Sequence, residues 1–283
     1  MVNTWRCPRW VRALRGGPPW VVFLCCLPVA VLAATVEQVV DPGVVGVADY
    51  TEGSPDKAPV LLLHGFLQTN QFSTVRRLAE GLADAEYTVL TPTLSLGITE
   101  RRQSQPCEAL HLQTLDDDVS ELALWVDWLY RKRQHRITLI GHSAGGHVIT
   151  RYLHDHPDAP VERVILLSLA YPAGSPLQVG SKDPKTIGEY TLSFCQHYPT
   201  TAKAFRSYVD WGPEQMLAQM RKVGSRLSVI LGSGDKRIPP SWIDIMRQGN
   251  IRITMIEGAN HFFDSAHEFD LQEAVESLLS SQH

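Results

Sequence analysis

The sequence predicts an α/β fold, a doubly wound and mostly parallel sheet covered by helices and carrying a small lid insertion. Three observations carry that prediction. From residue 60 onward, short apolar runs alternate with amphipathic segments of helical period. The runs, Val60-Leu61-Leu62-Leu63 among them, are continuous rather than alternating, as expected for strands buried on both faces of a parallel sheet. The 283 residues, 44% hydrophobic and 20% charged, suffice for one large core and contain no repeats.

The first 34 residues stand apart from this pattern. Arg6, Arg9, Arg12 and Arg15 precede a stretch without charge, residues 20–32, and the small residues Ala33 and Ala34 follow. This is the layout of a secretory signal peptide, and its apolar run falls short of the roughly 20 residues a bilayer span needs. We therefore expect a cleaved signal at 1–34, a mature domain at 35–283, no membrane span after cleavage, and a secreted or periplasmic location for an exported, bacterial-type protein. Loss of the signal removes Cys7, Cys25 and Cys26. Cys107 and Cys195 remain, an even number in an oxidising compartment, and we expect them to form a disulfide.

In the mature chain, residues 36–40 and 44–50 flank Asp41-Pro42-Gly43 and read as an antiparallel hairpin at a sheet edge. Buried strands are expected at 60–63, 88–90, 137–140, 164–169, 227–231 and 251–256, with helices at 75–85, 115–133, 144–154, 239–248 and 265–281. The helix at 115–133 is the clearest, with Leu115, Val119, Leu122, Val126 and Leu129 on one stripe and Thr114 with Asp117 as an N-terminal cap. Asp116, Asp117 and Asp118 read as an acidic first turn that suits the helix dipole, not as a metal site. No metal or other cofactor is expected.

Two intervals are too long for plain connections, 92–113 and 171–224. The second is read as a lid or cap with helices of its own, whose Tyr190, Phe194, Tyr198, Phe205, Tyr208 and Trp211 either pack it onto the body or line a pocket. Arg101 and Arg102, in the first, read either as solvated or as facing an anionic substrate. The formal charge of −4 and the lack of a basic stripe argue against nucleic acid as a partner.

The chemistry centres on Gly141-His142-Ser143-Ala144-Gly145, which follows an expected strand and opens an expected helix. A serine hydroxyl needs a base to remove its proton and a group to orient that base. Asp235, in Gly232-Ser233-Gly234-Asp235, and His261, in Gly258-Ala259-Asn260-His261-Phe262, each follow an expected strand. Asp210 and Asp264 are weaker alternatives for the acid, one inside the insertion and one too near the histidine. His64, His142 and His147 are read as structural.

With these motifs in hand, residues 60–281 resemble the α/β-hydrolase superfamily, in particular its esterase-like and lipase-like serine hydrolases, whose triad runs in the order serine, acid, histidine. His64-Gly65-Phe66-Leu67 is similar to the family's oxyanion loop. The resemblance implies Ser143 as nucleophile, His261 as general base and Asp235 as its orienting acid. It also implies backbone oxyanion donors at Ala144 and Phe66, with Leu67 as an alternative to Phe66. The expected function is hydrolysis of a small-molecule carboxylic ester through an acyl-enzyme. The same triad also serves thioesterases, amidases, acyltransferases, carbon–carbon hydrolases and perhydrolases, and a non-catalytic binding protein can retain the fold. Acyl preference resides in 92–113 and 171–224, where no motif reads it out, and oligomeric state has no signature here.

Overall fold

Neighbouring residues of each central strand point to opposite faces of one sheet, and helices cover both faces. The computed structural model describes residues 33–177 and 185–281; the expected signal peptide lies outside the described residues except for Ala33 and Ala34. In chain order the strands of the main sheet are β1 (Ala34–Asp41), β2 (Val44–Thr51), β3 (Val60–Leu63), β4 (Val89–Thr93), β5 (Ile137–His142) and β6 (Val161–Leu167). After an insertion come β10 (Leu227–Gly232) and β11 (Arg252–Ile256). Their spatial order is β1-β2-β4-β3-β5-β6-β10-β11. All pairings from β4 to β11 are parallel, while β1 and β2 form the antiparallel edge hairpin.

The continuous apolar runs follow from double coverage. Val60 and Leu62 face a core completed by Val75, Leu78 and Leu82 of α1 (Ser73–Asp84) and Leu271, Val275 and Leu278 of α7 (His267–Ser280). Leu61 and Leu63 face the other core, with Leu122, Trp125, Val126 and Leu129 of α2 (Leu115–Arg133) and Val148 and Ile149 of α3 (Ala144–Asp155). Thr114 and Asp117 form a reciprocal capping box at the start of α2, so two otherwise unpaired N–H groups are satisfied.

Between β6 and β10 the chain makes more than the expected helices. A three-stranded antiparallel sheet forms from β7 (Gly174–Pro176), β8 (Ile187–Leu192) and β9 (Cys195–Thr201), followed by α4 (Ala202–Val209) and α5 (Pro213–Val223). Its tight turn, Ser193-Phe194, carries no glycine although Ser193 has φ 55°, so the usual hairpin signal is missing from the sequence. α6 (Pro240–Gln248) lies between β10 and β11 and buries Trp242 and Met246.

The two long intervals meet. Cys107 and Cys195 are joined by a disulfide, the His111 N–H donates to the Pro199 carbonyl at 2.9 Å, and the Thr200 hydroxyl donates to the His111 carbonyl at 2.5 Å. The His111 ring stacks on Tyr198 with centroids 4.3 Å apart. The connection at 92–113 is thus stitched to the small sheet. Most aromatics of the insertion join the core on the α2 and α3 side.

Candidate active site

Ser143 stands between β5 and α3 with φ 53° and ψ −120°, a conformation that L residues avoid and that persists only where the surroundings enforce it. The flanking glycines show what enforces it. A Cβ on Gly141 would lie 2.6 Å from the Gly146 nitrogen, and one on Gly145 would lie 2.6 Å from the His64 carbonyl oxygen. Strand and helix approach too closely here for any side chain.

Asp235 follows β10 and His261 follows β11, so both stand at carboxyl ends of parallel strands beside Ser143. Ser143 Oγ lies 3.0 Å from His261 Nε2, and His261 Nδ1 lies 2.7 Å from Asp235 Oδ2. A carboxylate only accepts, so Nδ1 carries the proton and Nε2 presents its lone pair to the serine hydroxyl. Asp235 Oδ1 accepts the Arg237 main-chain N–H at 2.9 Å, which fixes the carboxylate plane. The carbonyl of His261 accepts a hydrogen bond from His142 Nε2 at 3.0 Å; burial pulls the His142 pKa down to about 4, so this donor stays neutral. Asp264 instead accepts from the Asn260 amide at 3.0 Å, and Asp210 ends α4.

The loop after β3 is a turn closed by the Gln68 N–H on the Gly65 carbonyl at 3.2 Å, with Leu67 at φ 57°. Such closure uses neither central N–H, and among the described residues those of Phe66 and Leu67 donate to no other protein group. Ala144 opens α3, where the first N–H groups lack intrahelical acceptors. His64 braces the turn: its Nδ1 donates to the Gly65 carbonyl at 2.8 Å, and its Nε2 accepts the Leu94 N–H at 3.0 Å. Burial holds its pKa at about 3.

Arg101 departs from both expectations for it. Rather than being solvated or facing the cleft, it is 3% exposed. It donates to the carbonyls of Leu94, Gln103 and Gln68 at 2.7, 2.8 and 2.6 Å, tying 92–113 to the end of the turn after β3. Asp118 also departs, since it faces inward and accepts the Tyr208 hydroxyl at 2.6 Å. Sequence reasoning missed both. For Asp118 a signal existed, because it lies three residues after Leu115 and four before Leu122, on the buried stripe. For Arg101 no local signal exists.

One cavity opens at the serine and a second lies beside the residues that follow it. An outer cleft of about 430 Å³ exposes Ser143 and His261 between Phe66, Phe194, Tyr171 and Phe262. An inner cavity of about 30 Å³, room for a water molecule, lies behind Ala144 and Phe66 and reaches Asp118, His147 and Tyr208. Phe66 lines both. Among the described residues no group of three His, Cys, Asp or Glu side chains is placed to hold a metal ion, and no helix is long and apolar enough to cross a membrane.

Residues 60–274 match the model of the alpha/beta hydrolase family. Among solved structures, the chain is similar to Est1E from Butyrivibrio proteoclasticus, with 17% identity and a TM-score of 0.63 over 87% of this chain and 97% of that one. The monoacylglycerol lipase of Paleococcus ferrophilus gives 18% identity and 0.62 over 83% and 98%. A thioesterase domain from the curacin biosynthetic pathway gives 15% and 0.59 over 88% and 100%. Likeness at such identities is a likeness of fold. Among curated proteins, none matches the chain by sequence.

Proposed function

Because this chain belongs to the alpha/beta hydrolase family, we propose that it hydrolyses small-molecule carboxylic esters through an acyl-enzyme on Ser143. The observation that carries this reading is the continuous relay from Ser143 Oγ to His261 at 3.0 Å and from His261 to Asp235 at 2.7 Å, opening onto the outer cleft. His261 Nε2 takes the serine proton as Oγ bonds to the ester carbonyl carbon. The carbonyl π electrons move onto oxygen, where the N–H groups of Ala144 and of Phe66 or Leu67 receive the charge. Collapse breaks the carbon–oxygen bond to the alcohol, which leaves with the proton from His261. Water then loses a proton to the same nitrogen, attacks the acyl-enzyme and releases the acid, returning the proton to Ser143. Asp235 keeps the imidazole in the one tautomer that serves both steps.

The insertion at 171–224 acts in this reading as the lid, with Phe194 at the tip of its β8–β9 turn on the cleft wall. Residues 1–34 act as an export signal, and a disulfide between Cys107 and Cys195 suits an oxidising destination. Sequencing the amino terminus of the mature protein tests the export reading; an intact terminus on the exported protein would overturn cleavage. For the activity, a fluorophosphonate probe should label the wild type and fail on Ser143→Ala, alongside hydrolysis of esters across a range of acyl lengths. A folded wild type that neither labels nor turns over any ester would overturn the assignment.

A further inference from the structure

Arg237 is the one permanently charged side chain lining the outer cleft among the described residues, and no Asp or Glu side chain lines it. It is exposed, yet its guanidinium is held in place by two rings: its carbon lies 4.8 Å from the centroid of Phe262 and 5.6 Å from that of Phe194. Phe262 in turn meets the His261 imidazole edge to face at 5.1 Å, so one ring stands between the cation and the base. Phe194 belongs to the β8–β9 turn, so the cation also bridges the insertion and the loop of the base.

This cation lacks a carboxylate partner among the described residues. Other described arginines, Arg136 and Arg206 among them, also lack an ion pair, but Arg237 alone of the arginines lines the outer cleft. Asp235, two residues away, forms its ion-pair contact with His261 and accepts the Arg237 main-chain N–H, and makes no ion pair with the Arg237 guanidinium. The contact with the two rings is made over their faces and uses no hydrogen-bond acceptor, and among the described residues the Arg237 guanidinium donates no hydrogen bond to the protein, so its fork of N–H donors is available to a carboxylate. Apart from Ser143 and His261, the other polar groups of the wall, Gln68, Tyr171, Ser193 and Gln196, carry no permanent charge. A cleft so lined offers a neutral ester nothing that uses the charge, and offers an anionic ester a charge-assisted bidentate contact.

Resting on the ester-hydrolase reading, we propose that Arg237 is a specificity-determining residue that binds a carboxylate carried by the substrate. The preferred substrates are then esters bearing a second, free carboxylate, on either the acyl or the alcohol side.

The test compares matched pairs: monomethyl glutarate with methyl pentanoate, and 4-acetoxybenzoate with its methyl ester. Wild type should favour the anionic member of at least one pair about 10- to 100-fold in kcat/KM, mainly through KM, and that preference should shrink as salt rises. Arg237→Gln should abolish the preference and Arg237→Lys should keep part of it, since the charge remains and the fork is lost. Equal fluorophosphonate labelling of Ser143 in each variant shows that fold and relay are intact. Turnover of the neutral esters with no anionic preference, or a preference that survives in Arg237→Gln, overturns the assignment and leaves the ester reading standing. No turnover of any of the four by an enzyme that hydrolyses other esters overturns this proposal and leaves the ester reading standing, whereas a wild type that neither labels nor hydrolyses any ester overturns both.

Discussion

Asp235 and Asp118 are both buried aspartates, one beside the outer cleft and one beside the inner cavity, and their surroundings ask opposite things of them. Asp235 receives two N–H donors, from His261 and from the Arg237 main chain, one on each carboxylate oxygen. Asp118 receives one hydroxyl, from Tyr208, and its Oδ1 has no hydrogen-bond partner. Burial there pushes the carboxyl up to about 8 against the opposing pull of the Tyr208 hydrogen bond. A neutral acid at this position keeps the chain between α2 and α4 tied without placing a bare charge in the core. Side chains of one type thus stand in a relay of hydrogen bonds in one place and tie two helices in the other, and the donors set around each decide which.

Removing the proposed nucleophile should separate the two regions most sharply. Ser143→Ala is expected to cut kcat by about a millionfold while leaving the unfolding midpoint within a few degrees of wild type. Steady-state kinetics and thermal unfolding on one preparation check both halves. Asp235→Asn should cost roughly ten-thousand-fold in kcat, because the amide lets the imidazole adopt the wrong tautomer. A loss under tenfold would show that His261 is oriented by something else.

Effects on stability come next. Replacing Cys107 and Cys195 with serine frees a closure spanning 88 residues and should cost about 2–4 kcal/mol in chemical denaturation, with acyl preference changing before the main sheet melts. Unchanged preference and stability would remove the bond from any role in holding the β7–β9 sheet against the connection at 92–113.

For Asp118 the pH dependence has a definite sign. The native carboxyl keeps its proton up to about pH 8, whereas in the unfolded chain it loses it near pH 4. Between these values the native state binds more protons, so this group's contribution to stability is complete at low pH and falls as pH rises, by up to about 1.4 kcal/mol per unit. Asp118→Asn keeps an acceptor for Tyr208 but cannot ionise. Its unfolding midpoint should therefore gain on wild type steadily from pH 5 to pH 8, and a constant difference would contradict the neutral acid. The smallest effect is expected at Thr114→Ala, which removes one arm of the α2 capping box and should cost about 1 kcal/mol with no change in kcat.

The local patterns determined a great deal without help from tertiary contacts. Strand and helix alternate where the apolar periods change, and the bounds of α2 are those the Leu115-to-Leu129 stripe and the Thr114 cap predict. Ser143, Asp235 and His261 stood out because each lies in the loop after a strand, and a parallel sheet gathers its strand ends on one side; the strand before His261, β11, is a half-exposed edge strand rather than the buried one its apolar run suggested. These are properties of a few consecutive residues. The small β7–β9 sheet was not legible, since its strands are short and its turn forces a serine into a positive φ. Nor were the fates of Arg101, Asp118 and Arg237. Whether a charged side chain is buried against carbonyls, neutralised beside a hydroxyl or left unpaired between two rings depends on what the fold sets opposite it. For Arg101 the groups opposite include the carbonyl of Gln68, 33 residues away, for Asp118 the hydroxyl of Tyr208, 90 residues away, and for Arg237 the Phe194 ring of the insertion. Burial and pairing of charge are nonlocal quantities, and only the folded chain evaluates them.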